Sequence, residues 1–189
     1  MSMTIKEELM EYLKDNYLPM PKDIKIGEEF CMTYDNDEDG KPCNTVIELG
    51  NPDFNIAVYN VWHVEHLEAL GLRKDIKTNE FYADFALSFL HELGHVATLG
   101  SLSAQEIKES QLIQVCCALS NAEKQKALLK QSMFAADYDG YNQLAYDNAF
   151  AYWYSPTERL AQEWVVNMLN LFPRMLDDLT DIFDRHYIE

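Results

Sequence analysis

Positive charge is scarce in this chain of 189 residues. Lysine and arginine total 15 against 32 aspartates and glutamates, a formal charge of −17. Such a surface excludes nucleic acid as a partner, because binding would have to overcome phosphate repulsion instead of gaining counterion release. It is compatible with a basic protein partner or substrate, and equally with simple solubility. Long apolar runs are missing as well. No stretch approaches the roughly 18 consecutive apolar residues that a membrane span needs. The opening segment from Met1 to Met20 contains KEELMEYLKDNYL, an acidic amphipathic helix and not a basic stretch followed by an apolar one. The expectation is a cytoplasmic protein that engages no membrane. Cysteine is sparse and unpatterned: Cys31, Cys43, Cys116 and Cys117 form no C-x-x-C pair. Adjacent Cys116 and Cys117 fall in a helical run, which suits buried thiols better than a zinc knuckle. A reduced compartment follows, with pairing of Cys31 and Cys43 left open.

Repeats, low-complexity tracts and linkers are also absent, so one domain is expected. With 48% hydrophobic residues it can bury a core without disulfides. A helix is expected within residues 1–25. EEFCMTY (28–34), NTVIELG (44–50) and NIAVYNV (55–61) read as short strands, rich in β-branched and aromatic residues and separated by the turns DNDEDGKP and NPD. Short turns predict an antiparallel sheet within residues 26–62. Helices follow. Thr78 or Asn79 can cap one that runs to about Gly100. Ser103 with Glu106 opens another as a capping box, and Asn121 is a candidate start for a third. Ser155-Pro156 begins a helix over 155–172, and Met175 to Tyr187 forms a last amphipathic one. The fold class is therefore α+β, mostly helical, with a small antiparallel sheet ahead of the helix over 78–100. Asp35, Asp37, Asp39 and Gly40 imitate the first half of a calcium-binding EF loop. Val46 stands where the bidentate glutamate belongs and Pro42 intrudes, so a polar hairpin turn is the better reading.

The chemistry-bearing motif is HELGH, His91 to His95. On a helix, residues i and i+4 lie one turn apart on the same face, so both imidazoles can converge on one tetrahedral Zn²⁺. Glu92 is offset by about 100° and can act on a water beside the cation as a general base without ligating the metal. Taking His91 as zero, Tyr82, Phe85, Ala86, Phe89, Leu90, Leu93, Val96 and Ala97 fall in an arc of about 120° to 260°. That arc is the core face. The histidines lie opposite it with Asp84, Ser88 and Thr98, facing solvent or a cleft.

A catalytic zinc site takes three protein ligands and keeps one position open. The extended HExxHxxGxxH is absent, since Thr98 and Ser101 replace its glycine and last histidine; this excludes a metzincin. His63 and His66 are one source of a third ligand. Glu158 is the other, at the edge of the apolar arc formed by Leu160, Ala161, Trp164, Val165, Met168 and Leu169. Ser155-x-x-Glu158 is also a well-formed capping box, in which the glutamate would only satisfy a backbone N–H. Tyr152 and Tyr154, just before this helix, are candidates to stabilise an oxyanion, with Tyr141 and Tyr146 further back. Asp84 is a candidate to hydrogen-bond a ligand imidazole.

His91-Glu92-Leu93-Gly94-His95 followed by Glu158-x-x-Ala161-x-x-Trp164 resembles the ImmA/IrrE metallopeptidases, whose helical HExxH is followed by a helix carrying E-x-x-A-N-x-F-A. The resemblance implies a compact zincin-like α+β fold, with His91, His95 and Glu158 as zinc ligands and Glu92 as catalytic base. It also implies a gluzincin-type peptidase of a bacterium, phage or mobile element that cleaves a protein partner such as a transcriptional repressor. Gln162 and Trp164 depart from the family's asparagine and phenylalanine, the spacing between the two motifs is longer than usual, and no helix-turn-helix segment is evident. The expected function is zinc-dependent peptide-bond hydrolysis. The alternative is a non-catalytic zinc-binding regulatory protein on the same scaffold, which would need the ligands but not Glu92.

Overall fold

The structure, a computed structural model, describes residues 3–28, 30–39, 41–50, 56–76, 78, 82–131 and 151–187. Among the described residues the chain is mostly helical with a small three-stranded mixed sheet, an α+β arrangement. Contacts between Cα atoms group it into two units, residues 1–101 with 160–189, and residues 102–159.

The first unit opens with α1 (Ile5–Asp15), started by a complete capping box in which Thr4 and Glu7 satisfy each other's backbone N–H groups. The strands are β1 (Asp23–Ile26), β2 (Cys31–Asn36) and β3 (Pro42–Leu49). Strand β3 is central, because alternate residues Ile47 and Leu49 point inward and are fully buried. It pairs antiparallel with β2 and parallel with β1, Ile24 lying opposite Ile47.

Two sheet expectations need correction. The third strand is residues 23–26, and its pairing makes the sheet mixed, not antiparallel. Residues 56–61 of the segment NIAVYNV are not a strand but the start of helix α2 (Ile56–Ala69), and Asn55 lies outside the described residues. A short run of apolar β-branched residues fits either state; what decides here is the continuation, where buried His63, His66 and Leu67 recur at a spacing of three and four. Between β2 and β3 the EF look-alike is a hairpin: Asp37 Oδ1 accepts from the N–H groups of Asp39 (3.0 Å) and Lys41 (2.8 Å). Gly40 lies outside the described residues. Register also settles the cysteines. Cys31 pairs with Glu48 while Cys43 pairs with Asp35, so the two thiols sit about 15 Å apart along the strands, far beyond disulfide reach. None of the four cysteines forms a disulfide, and Cys116 is exposed where a buried thiol was expected.

Helix α3 (Ala83–Thr98) carries HELGH and continues into a 3-10 turn, Leu99–Ser101. It starts later than the sequence suggests: Tyr82 is its N-cap, without a side-chain cap bond, so Thr78 does not cap it, and Asn79 lies outside the described residues. Phe85, Ala86, Phe89, Leu90 and Leu93 are buried as the helical wheel requires, whereas Ala97 is exposed. This apolar face packs on β2, β3 and the last helix, α6 (Arg174–Tyr187). Phe30, Phe85, Phe89 and Phe183 form its aromatic centre, with ring centroids 5.8 to 6.4 Å apart. Such pairs add about 0.5–1.5 kcal/mol beyond area burial. Helix α6 also meets α1, where Glu8 binds both Arg185 and His186.

In the second unit, α4 (Ala104–Gln131) begins at the expected Ser103–Glu106 capping box. It runs unbroken past Asn121, correcting the expected helix start there; an asparagine costs a helix interior only about 0.7 kcal/mol. Helix α5 (Pro156–Leu171) starts in this unit and has most of its length in the first. Among the described residues no helix is long and apolar enough to cross a membrane.

Candidate metal centre

One turn of α3 separates His91 from His95, and their Nε2 atoms approach to 3.2 Å with the rings inclined at 79°. Two imidazoles bound to one tetrahedral Zn²⁺ at the usual bond lengths hold their nitrogens about 3.3 Å apart. The pair thus has the separation a shared cation requires. Glu158, in the first turn of α5, supplies a carboxylate oxygen, and all three ligand atoms lie within 4.8 Å of one another. His95 and Glu158 are buried and His91 is half-buried. Two imidazoles and a carboxylate form the three-ligand set that leaves a zinc coordination position open, and a carboxylate with 1% exposure is tolerated when paired or bound to metal.

Geometry at the start of α5 separates the two roles open to Glu158. In a capping box Ser155 Oγ accepts from the Glu158 N–H, and Glu158 reaches back to the Ser155 N–H. Here Ser155 Oγ is buried with no hydrogen-bond partner among the described residues, and Ser155 N–H donates to Tyr152 O at 2.9 Å. The N–H of Thr157 is satisfied instead by Ser110 Oγ of α4 at 3.0 Å. The reciprocal Ser155–Glu158 capping box is therefore not made. Its Oε1 accepts from Gln114 Nε2 at 3.4 Å. Ser110 and Gln114, one turn apart on α4, were not singled out from sequence, because nothing local to them points to residues 157 and 158.

Comparison with protein-family models, with curated proteins and with solved structures finds no match.

Gly94, between the two histidines' turns, explains how α5 comes so near. A Cβ at this position would lie 2.7 Å from the carbonyl oxygen of Ala161 and 3.1 Å from its Cα. Only glycine permits that approach. Glu92 is on the same turn, 8% exposed.

The other candidates are placed as follows. His63 and His66 lie on α2, 5% and 1% exposed, and the metal-binding group among the described residues does not include them. His63 Nε2–H donates to Gln162 Oε1 at 2.8 Å, and its ring stands edge-on to that of His91. Burial, then the charge of His91, hold the His66 imidazole below its ordinary pKa, favouring the neutral form. His186 is bound to Glu8. Tyr152 is half-buried and Tyr154 is 58% exposed. Asp84 is half-buried in the first turn of α3. Tyr141 and Tyr146 lie outside the described residues.

Proposed function

We propose that this chain is a cytoplasmic zinc-dependent metallopeptidase in which His91, His95 and Glu158 hold Zn²⁺ and Glu92 is the general base. The observation that carries this reading is the 3.2 Å approach of the two Nε2 atoms, with the Glu158 carboxylate in the same group. At such a site Zn²⁺ supplies Lewis acidity, which brings the pKa of a water towards about 7. Glu92 follows His91 directly on α3, offset by about 100°. Its carboxylate takes the proton as the water attacks a peptide carbonyl, and its carboxyl then donates that proton to the leaving amine. A site kept only for metal binding has no use for this base, so its presence favours catalysis. Tyr152 and Tyr154 are the candidate donors to the developing oxyanion, which Tyr152→Phe and Tyr154→Phe would tell apart. A formal charge of −17 suits a basic polypeptide substrate, and the resemblance to ImmA/IrrE proteins points to a repressor.

Zinc content and hydrolysis of a casein-type substrate test the reading together. Wild type and Glu92→Gln are expected to retain zinc, with cleavage by wild type alone. His91→Ala, His95→Ala and Glu158→Ala are expected to lose the metal. Equal cleavage by wild type and Glu92→Gln would remove the catalytic claim, and a wild type that binds no zinc would remove the site.

A further inference from the structure

Three helices of the first unit bring polar side chains together behind the histidine pair. His63 comes from α2, Gln162 from α5 and His91 from α3. Gln162 is fully buried and His63 is 5% exposed. The 2.8 Å bond from His63 Nε2–H to Gln162 Oε1 places a proton on Nε2, because an amide oxygen can only accept. The same ring meets His91 edge-to-face, with centroids 5.8 Å apart and planes at 86°. Gln162 is one turn beyond Glu158, so the helix that carries the third ligand also anchors His63.

The amide nitrogen of Gln162 has no hydrogen-bond partner among the described residues although it is buried. A leucine at 162 and a phenylalanine at 63 would fill this space without stranding a donor. An arrangement that keeps a polar pair at that cost calls for a reason other than packing. Residues behind a ligand histidine supply one, because they fix the ring's orientation and so the metal affinity.

We propose that His63, held by Gln162, is a positioning residue that fixes the imidazole of His91 for metal binding; this rests on the reading of His91 as a ligand. Neither residue touches the reacting atoms. Gln162 is the partner that holds His63 Nε2, so the two side chains are expected to act together.

The test is zinc affinity by chelator competition, with the absorption spectrum of the Co²⁺-loaded protein, for wild type, His63→Phe, Gln162→Leu, the double variant and Gln162→Glu. Each of the first two changes is expected to weaken zinc binding by roughly tenfold to a hundredfold and to alter the Co²⁺ spectrum. The double variant should be no worse than either single one. Gln162→Glu keeps an acceptor for His63 and should hold affinity within about threefold of wild type. Thermal unfolding of the metal-free proteins separates a packing role, which would lower stability and leave the Co²⁺ spectrum as it was. Unchanged zinc affinity and spectrum in both single variants would overturn the proposal while leaving the metal site intact. A wild type that binds neither ion would instead overturn the site itself.

Discussion

Replacing Gly94 by alanine perturbs the contact that brings α3 and α5 together. In an unobstructed helix this substitution stabilises by about 0.8–1 kcal/mol. Here the added Cβ would lie 2.7 Å from the Ala161 carbonyl oxygen, 3.1 Å from Cα and 3.2 Å from the carbonyl carbon. All three are backbone atoms, so no side chain can turn aside, and the helices must separate by roughly 0.7 Å to reach ordinary contact. Overpacking of this kind costs about 1–3 kcal/mol, which leaves a net loss near 1 kcal/mol. The proposed metal centre should suffer more. His95 is the next residue after Gly94, Glu158 lies three before Ala161, and coordination distances tolerate only about 0.2 Å. Denaturant unfolding of the metal-free protein and chelator competition for zinc measure the two effects. Gly100→Ala is the control, since nothing lies within 4 Å of a Cβ there. A Gly94→Ala protein as stable as wild type, with the same zinc affinity, would refute the reasoning.

Other expectations follow from the same structure. Glu158→Gln keeps the size of the side chain and loses the charge, so zinc retention should fall sharply, while unfolding of the metal-free protein shifts little because the Ser155–Glu158 capping box is not made; a large loss of metal-free stability would contradict this. Tyr17 has φ 54° and is 96% exposed, so Tyr17→Gly should relieve strain at little contact cost and gain up to about 1 kcal/mol in denaturant unfolding. Burial, reinforced by Asp178, pushes the Tyr12 hydroxyl up to about 12. Its stabilising contribution is complete below pH 10, where the unfolded chain begins to ionise, and is lost as pH rises through 12. Tyr12→Phe should flatten that alkaline limb of a stability profile. Burial raises the Glu8 carboxyl, but hydrogen bonds from His186 and Arg185 outweigh it and hold it below 4.5. That contribution is present above pH 4.5 and is lost as pH falls through the lower folded value, so Glu8→Gln should weaken the acid dependence.

Legibility followed the length and periodicity of each element. The helices carrying HELGH and Glu158 could be read because a strong apolar stripe runs beside each motif, and a stripe of four turns admits few alternatives. The start of α3 was misplaced because Tyr82 caps nothing with its side chain, so the sequence bears no signal there. The segment from Ile56 is ambiguous because its first two turns are apolar apart from Asn60; only from His63 onward does helical spacing show. Strand β1 is four residues long, with one buried side chain, Ile24, too short for alternation to be noticed. Its parallel pairing uses the side of β3 that β2 leaves open, a tertiary fact. Tertiary facts hid the details of the site too. Ser155 and Glu158 have the spacing of a capping box, and only the arrival of Ser110 beneath Thr157 shows why that box is not made. Nothing in the local sequence places His63 beside His91 or the Ala161 carbonyl against Gly94.

The histidine helix rests its apolar side on residues 174–187, nearly a hundred positions downstream. During synthesis, then, HELGH emerges long before the surface that seats it, and Glu158 is still missing. Two exposed imidazoles without their carboxylate grip a metal weakly. If the two histidines hold a cation as proposed, the order of translation delays a firm grip on it until Glu158 has been made.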